Sequence, residues 1–435
     1  MDVLVKKLKA REKLSAKELR DLFQNRSRWT EDLCPILAKR ALDMGENFYA
    51  YDIAEKIVSE DKNIRIQKLH IMALALARSG SLSRAAELLQ NFPETHDSEI
   101  VGLKSRILKD MAINCSDPQQ KKAYFREAAD LSLAVFQEKH QYYNGINAAA
   151  CLFMADERAA AKTLIEEQVL PLCLKDENQS DLWWIATMGE CYLLLEKFAE
   201  SGEYYRRASE IALGEGSLGS FASTLKQFYM LGEKFRQEEL QPIIERMNLP
   251  CIAIFSGHMI DRPGRKVPRF PAYAEEQVRA ELAAAVKKYN IHFAYVSCAC
   301  GGDILFIEEV LKNNGECFIL PPLPLEATIR NSVDFIPGSD WKERLDRIIE
   351  HKNVIFLEPE CDEIGVDDDS IVYEFTNRFL FGSALHRASA LHFPLCGVTV
   401  WNLEKSGLPG GTDSAVALWQ EKNIPVKIIT PEIKK

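Results

Sequence analysis

What the chain lacks sets the first limits. No apolar run reaches the ~18–20 residues that a helix needs to span a bilayer, so no membrane partner is expected. The opening MDVLVKKLKAREKLSAKELRDLF has neither the apolar core nor the small-residue cleavage site of a secretory leader. A positive surplus is missing too: 64 Asp and Glu face 54 Lys and Arg, a net charge of −10. No chain-wide basic field is therefore available for nucleic acid or an anionic membrane, and no nucleic-acid partner is expected. Nor is there a cysteine framework. The 11 cysteines are scattered through apolar stretches, as at Cys151, Cys173, Cys191, Cys251 and Cys317. That usage points to reduced thiols in a cytoplasmic protein. Cys298 and Cys300 form a lone C-x-C with no second ligand pair, which favours a small-residue turn over zinc. No metal is expected.

What is present is an ordinary globular balance, 47% hydrophobic and 27% charged, over 435 residues. That length suits two or three domains. Up to about Met230 apolar residues recur every three or four positions, a helical period. The segment LHIMALALARSGSLSRAAELLQNF places Leu69, Ala73, Leu76, Ala85, Leu89 and Phe92 at the spacings of a tetratricopeptide helix pair. IATMGECYLLLEKFAESGEYYRRASEIAL repeats the scheme with Ile185, Gly189, Tyr192, Ser201, Tyr205 and Ala208. A weaker copy runs through Ala38, Ala41, Ala50 and Ala54. One pair cannot bury its apolar face alone, so residues 1–235 are expected to stack several pairs into an all-α array.

Within this half, QYYNGINAAACLFMADERAAAKTLIEEQ, DLWWIATMGECYLL and GSLGSFASTLKQFYML resemble the helical TRAF-binding region found beside MAP kinase kinase kinases. The resemblance runs from about Asp97 to Gly232 and implies an interaction module, with a protein partner or self-association through the repeats. Tyr142, Tyr143, Asn144 and Asn147 are either a contact surface or helix caps and packing.

Residues 236–249 read as a connecting helix and linker. From residue 250 to 435 the period changes. CIAIFSG, IHFAYVS, CFILPP, NVIFLEP, CGVTVW and VKIIT are short β-branched or aromatic runs alternating with amphipathic helices, one carrying Val278, Leu282 and Val286. Apolar strands separated by helices predict a doubly wound parallel α/β, Rossmann-like domain.

Ligands of such folds sit beyond the carboxyl ends of the strands. Three loops there stand out. In the first, Ser256 and Gly257 end a strand, and His258, Asp261, Arg262, Arg265 and Arg269 follow. Its arginines suit bidentate phosphate binding. His258 is either a base or ribose contact or a hydrogen-bonded structural histidine. The second loop, SCACGGD, places Gly301 and Gly302 at a helix start, where bare amides suit an anion. Asp303 is read as an N-cap or a ribose contact, and Glu308 as a ligand contact or ordinary surface. The third offers Gly410, Gly411, Thr412 and Asp413 at another helix start.

Together FSGHMIDRPGRKVPRFP, SCACGGDILFIEEVL and LPGGTDSA resemble the SLOG superfamily, over nearly all of residues 250–435. That resemblance implies binding of a nucleotide or NAD-derived ligand such as ADP-ribose. Its contacts would be Gly257, Asp261, Arg262, Arg265, Gly301, Gly302, Asp303, Gly410, Gly411 and Thr412. The hydrolytic branch has a further glycine before its threonine and a glutamate soon after. Here Thr412 follows Gly411 directly and no glutamate precedes Glu421. N-glycosidic hydrolysis, which needs a carboxylate, is then left to Asp303 or Glu308.

The expected function is a sensor of a nucleotide or NAD-derived second messenger, relaying through the repeats, in bacterial defence or stress signalling. A nucleotide N-glycosidase and a ligand-free scaffold are the alternatives. The acidic run Glu358–Asp369 is read as a solvated loop, and Tyr373, Phe375, Phe379, Leu380 and Leu385 after it as core.

Overall fold

A computed structural model describes residues 3–9, 14–90, 98–176, 178–357, 369–405, 407 and 409–433. The chain forms two compact units. One comprises Asp21–Asn248 with Ala390–His392, the other Met1–Arg20, Leu249–Ser389 and Phe393–Lys435. The molecule is mostly helical, and among the described residues no helix is long and apolar enough to cross a membrane.

The helical unit is a succession of short-linked pairs. They are Cys34–Met44 with Asn47–Glu55, Lys62–Arg78 with Leu82–Gln90, and Ser98–Asn114 with Pro118–Lys139. Tyr142–Met154 pairs with Arg158–Leu164, which continues through a π-turn at Ile165–Val169 into Leu170–Lys175. Leu182–Leu194 pairs with Phe198–Glu215, and the helices Leu218–Gly232 and Gln237–Met247 complete the series. Aspartates start several helices by accepting from first-turn amides: Asp61 from Asn63 N at 2.7 Å, Asp117 from Gln120 N at 2.8 Å, Asp181 from Trp183 N at 2.9 Å.

Inside the pairs the small residues are buried where the repeat pattern places them. Ala38, Ala41, Ala50, Ala54, Ala73, Ala85 and Ala208 are inaccessible, and Ser201 Oγ donates to Gly189 O at 2.9 Å. Leu76 is only half-buried, and Phe92 lies outside the described residues. Closest approach comes at Gly219, where a Cβ would stand 2.4 Å from Leu42 O and 2.7 Å from Gly45 N. Gln237–Met247, read in the sequence as a connecting helix, packs on Phe198–Glu215 through Ile243 and Arg246 beside Gly202.

The other unit carries six strands: β1 Cys251–Gly257, β2 Ile291–Val296, β3 Glu316–Ile319, β4 Val354–Phe356, β5 Leu395–Val400 and β6 Val426–Ile429. Every pairing is parallel and the order is β4-β3-β2-β1-β5-β6. Strand residues alternate between two buried faces. Cys251, Ala253 and Phe255 join Val278, Leu282, Ile304, Trp341 and Leu345 in one core. On the opposite face Tyr295 stacks on Phe318 at 4.7 Å, and Arg387 lies 4.6 Å above Phe293.

That second face explains why the first twenty residues fall in the sheet unit, where the sequence placed them with the repeats. Arg20 sits 4.7 Å over Phe318, and Lys17 Nζ donates to Ile349 O at 3.1 Å. The helix Asp369–Leu391 requires a correction. Its buried stripe is Val372, Thr376, Leu380, Ala384 and Ala388, whereas Phe375, Phe379 and Leu385 are exposed. Those three lie one position off the stripe, which leaves only Leu380 of the expected fully buried set in the core. The acidic residues 358–368 lie outside the described residues.

Candidate functional site

β1 lies between β2 and β5, so the loops that follow these three parallel strands rise from one edge. Chain order reverses at the β1–β5 seam, where folds of this topology leave a crevice. Ser256 still belongs to β1, in register with Thr399, and Gly257 pairs with Val400. A Cβ at Gly257 would meet the Phe255 ring at 2.8 Å.

The first two loops are joined by backbone. Gly301 bridges Met259, Ile260 N donates to Cys300 O at 3.2 Å, and Gly302 N donates to His258 O at 3.1 Å. Gly301 has φ +97°, and a Cβ there would stand 2.4 Å from Ile260 N. Only glycine satisfies both conditions.

Asp303 is not the N-cap. Gly301 takes that place, and the buried Asp303 carboxylate turns back to accept from Ala299 N at 3.1 Å. Burial pushes Asp303 up to about 7, opposed by backbone hydrogen bonding from Ala299 and Gly257. The expected cradle of bare amides is therefore corrected: Gly302 donates to His258, while Ala299 and Gly257 serve Asp303.

The third loop is filled in the same manner. Gly411 is the N-cap of Thr412–Glu421, Gly410 has φ +77°, and Gly410 N donates to Glu374 Oε2 at 3.0 Å. Ser414 Oγ reaches the same oxygen at 3.0 Å. Against the opposing effect of burial, hydrogen bonds from Gly410, Ser414 and Arg378 hold Glu374 below the usual carboxylate range. Asp413 Oδ2 accepts from Gly407 N at 3.2 Å, and Thr412 is buried at the helix start.

Side chains of the first loop divide into structure and open charge. Asp261 Oδ2 accepts from Arg269 N at 2.8 Å and Phe270 N at 2.9 Å, closing the loop on itself. Arg265 Nε donates to Val267 O at 2.9 Å and lies 3.3 Å from Asp261 Oδ1. Arg262 stacks 4.6 Å over Phe335. Arg269 is half-buried, and its buried Nε has no hydrogen-bond partner. Burial lowers the Arg269 guanidinium, with the Arg265 charge adding and Asp261 and Glu404 opposing.

His258 is buried beside this cluster, with Nε2 2.9 Å from Asn402 Oδ1. Glu404 N donates to that same oxygen at 3.2 Å, so Oδ1 is an acceptor and Nε2 carries the proton. Burial pulls the imidazole below its usual value; the Asn402 bond opposes this and the Arg269 charge adds to it. His258 is thus neutral at pH 7.

Glu308 stands apart from this group and is corrected as a ligand or catalytic candidate. Arg344 grips it bidentately, Nε–Oε1 at 2.8 Å and Nη2–Oε2 at 2.7 Å, and Arg279 Nη1 adds a contact at 2.7 Å. Glu275 completes the network, 2.8 Å from Arg344 Nη1. Cys298 and Cys300 are buried thiols; burial pushes the first well up and the second to about 12. Asn402, Glu374 and Phe335 were not legible as site residues, because each reaches the loops from a distant stretch of chain.

The helical unit is thus an array of tetratricopeptide-like pairs. Residues 48–152 match the TPR-S family, Tetratricopeptide Repeats-Sensor. No curated protein matches. Among solved structures the chain is similar to LpoA of Haemophilus influenzae, 9% identical, over 98% of this chain and 76% of that one. The TM-score is 0.22.

Proposed function

We propose that this chain is a sensor whose sheet unit is a Rossmann-like, SLOG-type domain binding a nucleotide or NAD-derived anion such as ADP-ribose. The helical repeats would pass that event to a protein partner or to self-association. The observation that carries the reading is Arg269: a half-buried guanidinium with an unpartnered Nε, beside neutral His258, at the β1–β5 seam. Asp261 and Glu404 offset part of the cost of desolvating this cation, and a bound anion would offset more. The anion contacts then fall mainly to the side chains of Arg262, Arg265 and Arg269. The helical family match supports the sensor half of the reading.

AMP, ADP, NAD and ADP-ribose are titrated onto the full chain by thermal shift. A ligand that binds only the folded state at about 100-fold above its Kd adds about 2.7 kcal/mol. The expected result is a rise in Tm with one of them that Arg269→Ala abolishes. No shift with any of the four would reject the proposal. An N-glycosidase would have only Asp303 to serve as its carboxylate, since Glu308 is held by its arginine clamp.

A further inference from the structure

The helical unit holds a cavity of its own. It encloses about 1120 Å³ and is lined from the helices Lys62–Arg78, Ser98–Asn114, Tyr142–Met154 and Leu182–Leu194, among others. Typical small-molecule sites run to about 300–1,000 Å³, so an organic ligand fits. A smaller polar chamber of about 50 Å³ adjoins it and shares Arg106, Tyr143 and Trp183.

Two arginines, Arg78 and Arg106, line this space. Arg78 donates to Leu42 O at 2.9 Å and Ser223 Oγ at 3.0 Å, both neutral, and its Nε is buried without a partner. Arg106 Nε is also buried without a partner. Carboxylates stand nearby as well: Asp43, 3.2 Å from Lys39, and Asp110, 2.7 Å from Lys226, both act on Arg78, and Asp176 and Asp181 also line the cavity. Burial, followed by the charge of Arg106, draws Arg78 down to about 9. Guanidinium does not give up its proton in proteins, so Arg78 stays a cation in the cavity wall. Beside the arginines, Tyr143 and Trp183 meet edge to face at 5.7 Å.

We propose that this cavity binds a small, ring-bearing phosphate monoester. The phosphate lies between Arg78 and Arg106, and the ring packs against Tyr143 and Trp183. A phosphate dianion answers two guanidiniums at once. An aromatic pair offers both a face and an edge to a planar ring. This site is independent of the sheet-edge reading and lies wholly in the helical unit.

The test is calorimetric titration of the full chain with phenyl phosphate, AMP and inorganic phosphate, with tryptophan fluorescence in parallel. Phenyl phosphate or AMP is expected to bind more tightly than inorganic phosphate and to change emission in the parent but not in Trp183→Phe. Arg106→Met weakens binding by about tenfold or more, whereas Arg206→Met, a surface substitution of equal charge change, leaves it intact. Arg106→Met keeps the parent's circular dichroism spectrum, so weaker binding in it is not a failure to fold. The proposal is overturned if no probe binds at millimolar concentration, if Arg106→Met binds normally, or if the same binding disappears in Arg269→Ala. That last outcome would assign the ligand to the sheet unit.

Discussion

His258 Nε2 meets Asn402 Oδ1 at 2.9 Å across the β1–β5 seam, joining two residues 144 positions apart. The bond fixes which imidazole nitrogen carries the proton, since Glu404 N occupies the same oxygen. Asn402→Leu leaves a buried N–H unsatisfied, at a cost of about 1–3 kcal/mol by urea denaturation. Asn402→Asp keeps the acceptor and adds a charge, which raises the His258 pKa in an NMR titration. An unchanged titration would mean the two side chains do not meet.

Asp303 makes stability depend on pH in an unusual direction. Its folded value of about 7 lies above the ordinary 3.8, so between these values the folded state holds a proton that the unfolded chain has released. Its contribution is fully present below pH 3.8 and is lost as pH rises towards about 7. The size is on the order of a few kcal/mol. Asp303→Asn is expected to flatten the decline, measured by urea denaturation at several pH values from 4.5 to 7.5. An equal slope in the variant would remove Asp303 as the cause.

Gly301→Ala tests the seam between the first two loops. The substitution meets positive φ and a backbone nitrogen at 2.4 Å together. A loss of about 2–5 kcal/mol is expected. If Ala is accommodated with under about 1 kcal/mol lost, the two loops are not in contact there.

The Glu308 network predicts strong non-additivity. Arg344→Met removes the bidentate partner of Glu308 and leaves it to Arg279 alone, at a cost of about 2–4 kcal/mol, whereas Glu308→Gln combined with Arg344→Met recovers part of that loss. A double-mutant cycle by chemical denaturation measures the coupling. Additive costs would place Glu308 in solvent, open again to a ligand role.

Much of the architecture could be read from residue spacing. Period 3.6 with small residues at Gly189, Ser201 and Ala208 marks helix pairs, and the change to short apolar runs after residue 250 marks a parallel sheet. Spacing says little about which stripe faces inward when two are apolar. Phe375 and Phe379 were therefore assigned to the core in place of Val372 and Thr376. The site was half legible. Loop positions followed from the strands, but whether an amide is free depends on partners such as Glu374 and Asp303, whose carboxylates fill the turns. Arg78 and Arg106 gave no signal at all, because an arginine on an amphipathic helix looks the same whether it meets water or a cavity.

The place of β1 in the strand order also bears on synthesis. β2, beside β1, is complete by Val296, but β5, its other neighbour, ends only at Val400. A chain emerging from the ribosome must therefore hold one border of its central strand unpaired while the intervening segment is made. Exposed strand borders invite intermolecular pairing, and contacts so distant in sequence form slowly. Fragments cut before residue 395 are expected to be aggregation-prone for this reason, whatever ligand is supplied.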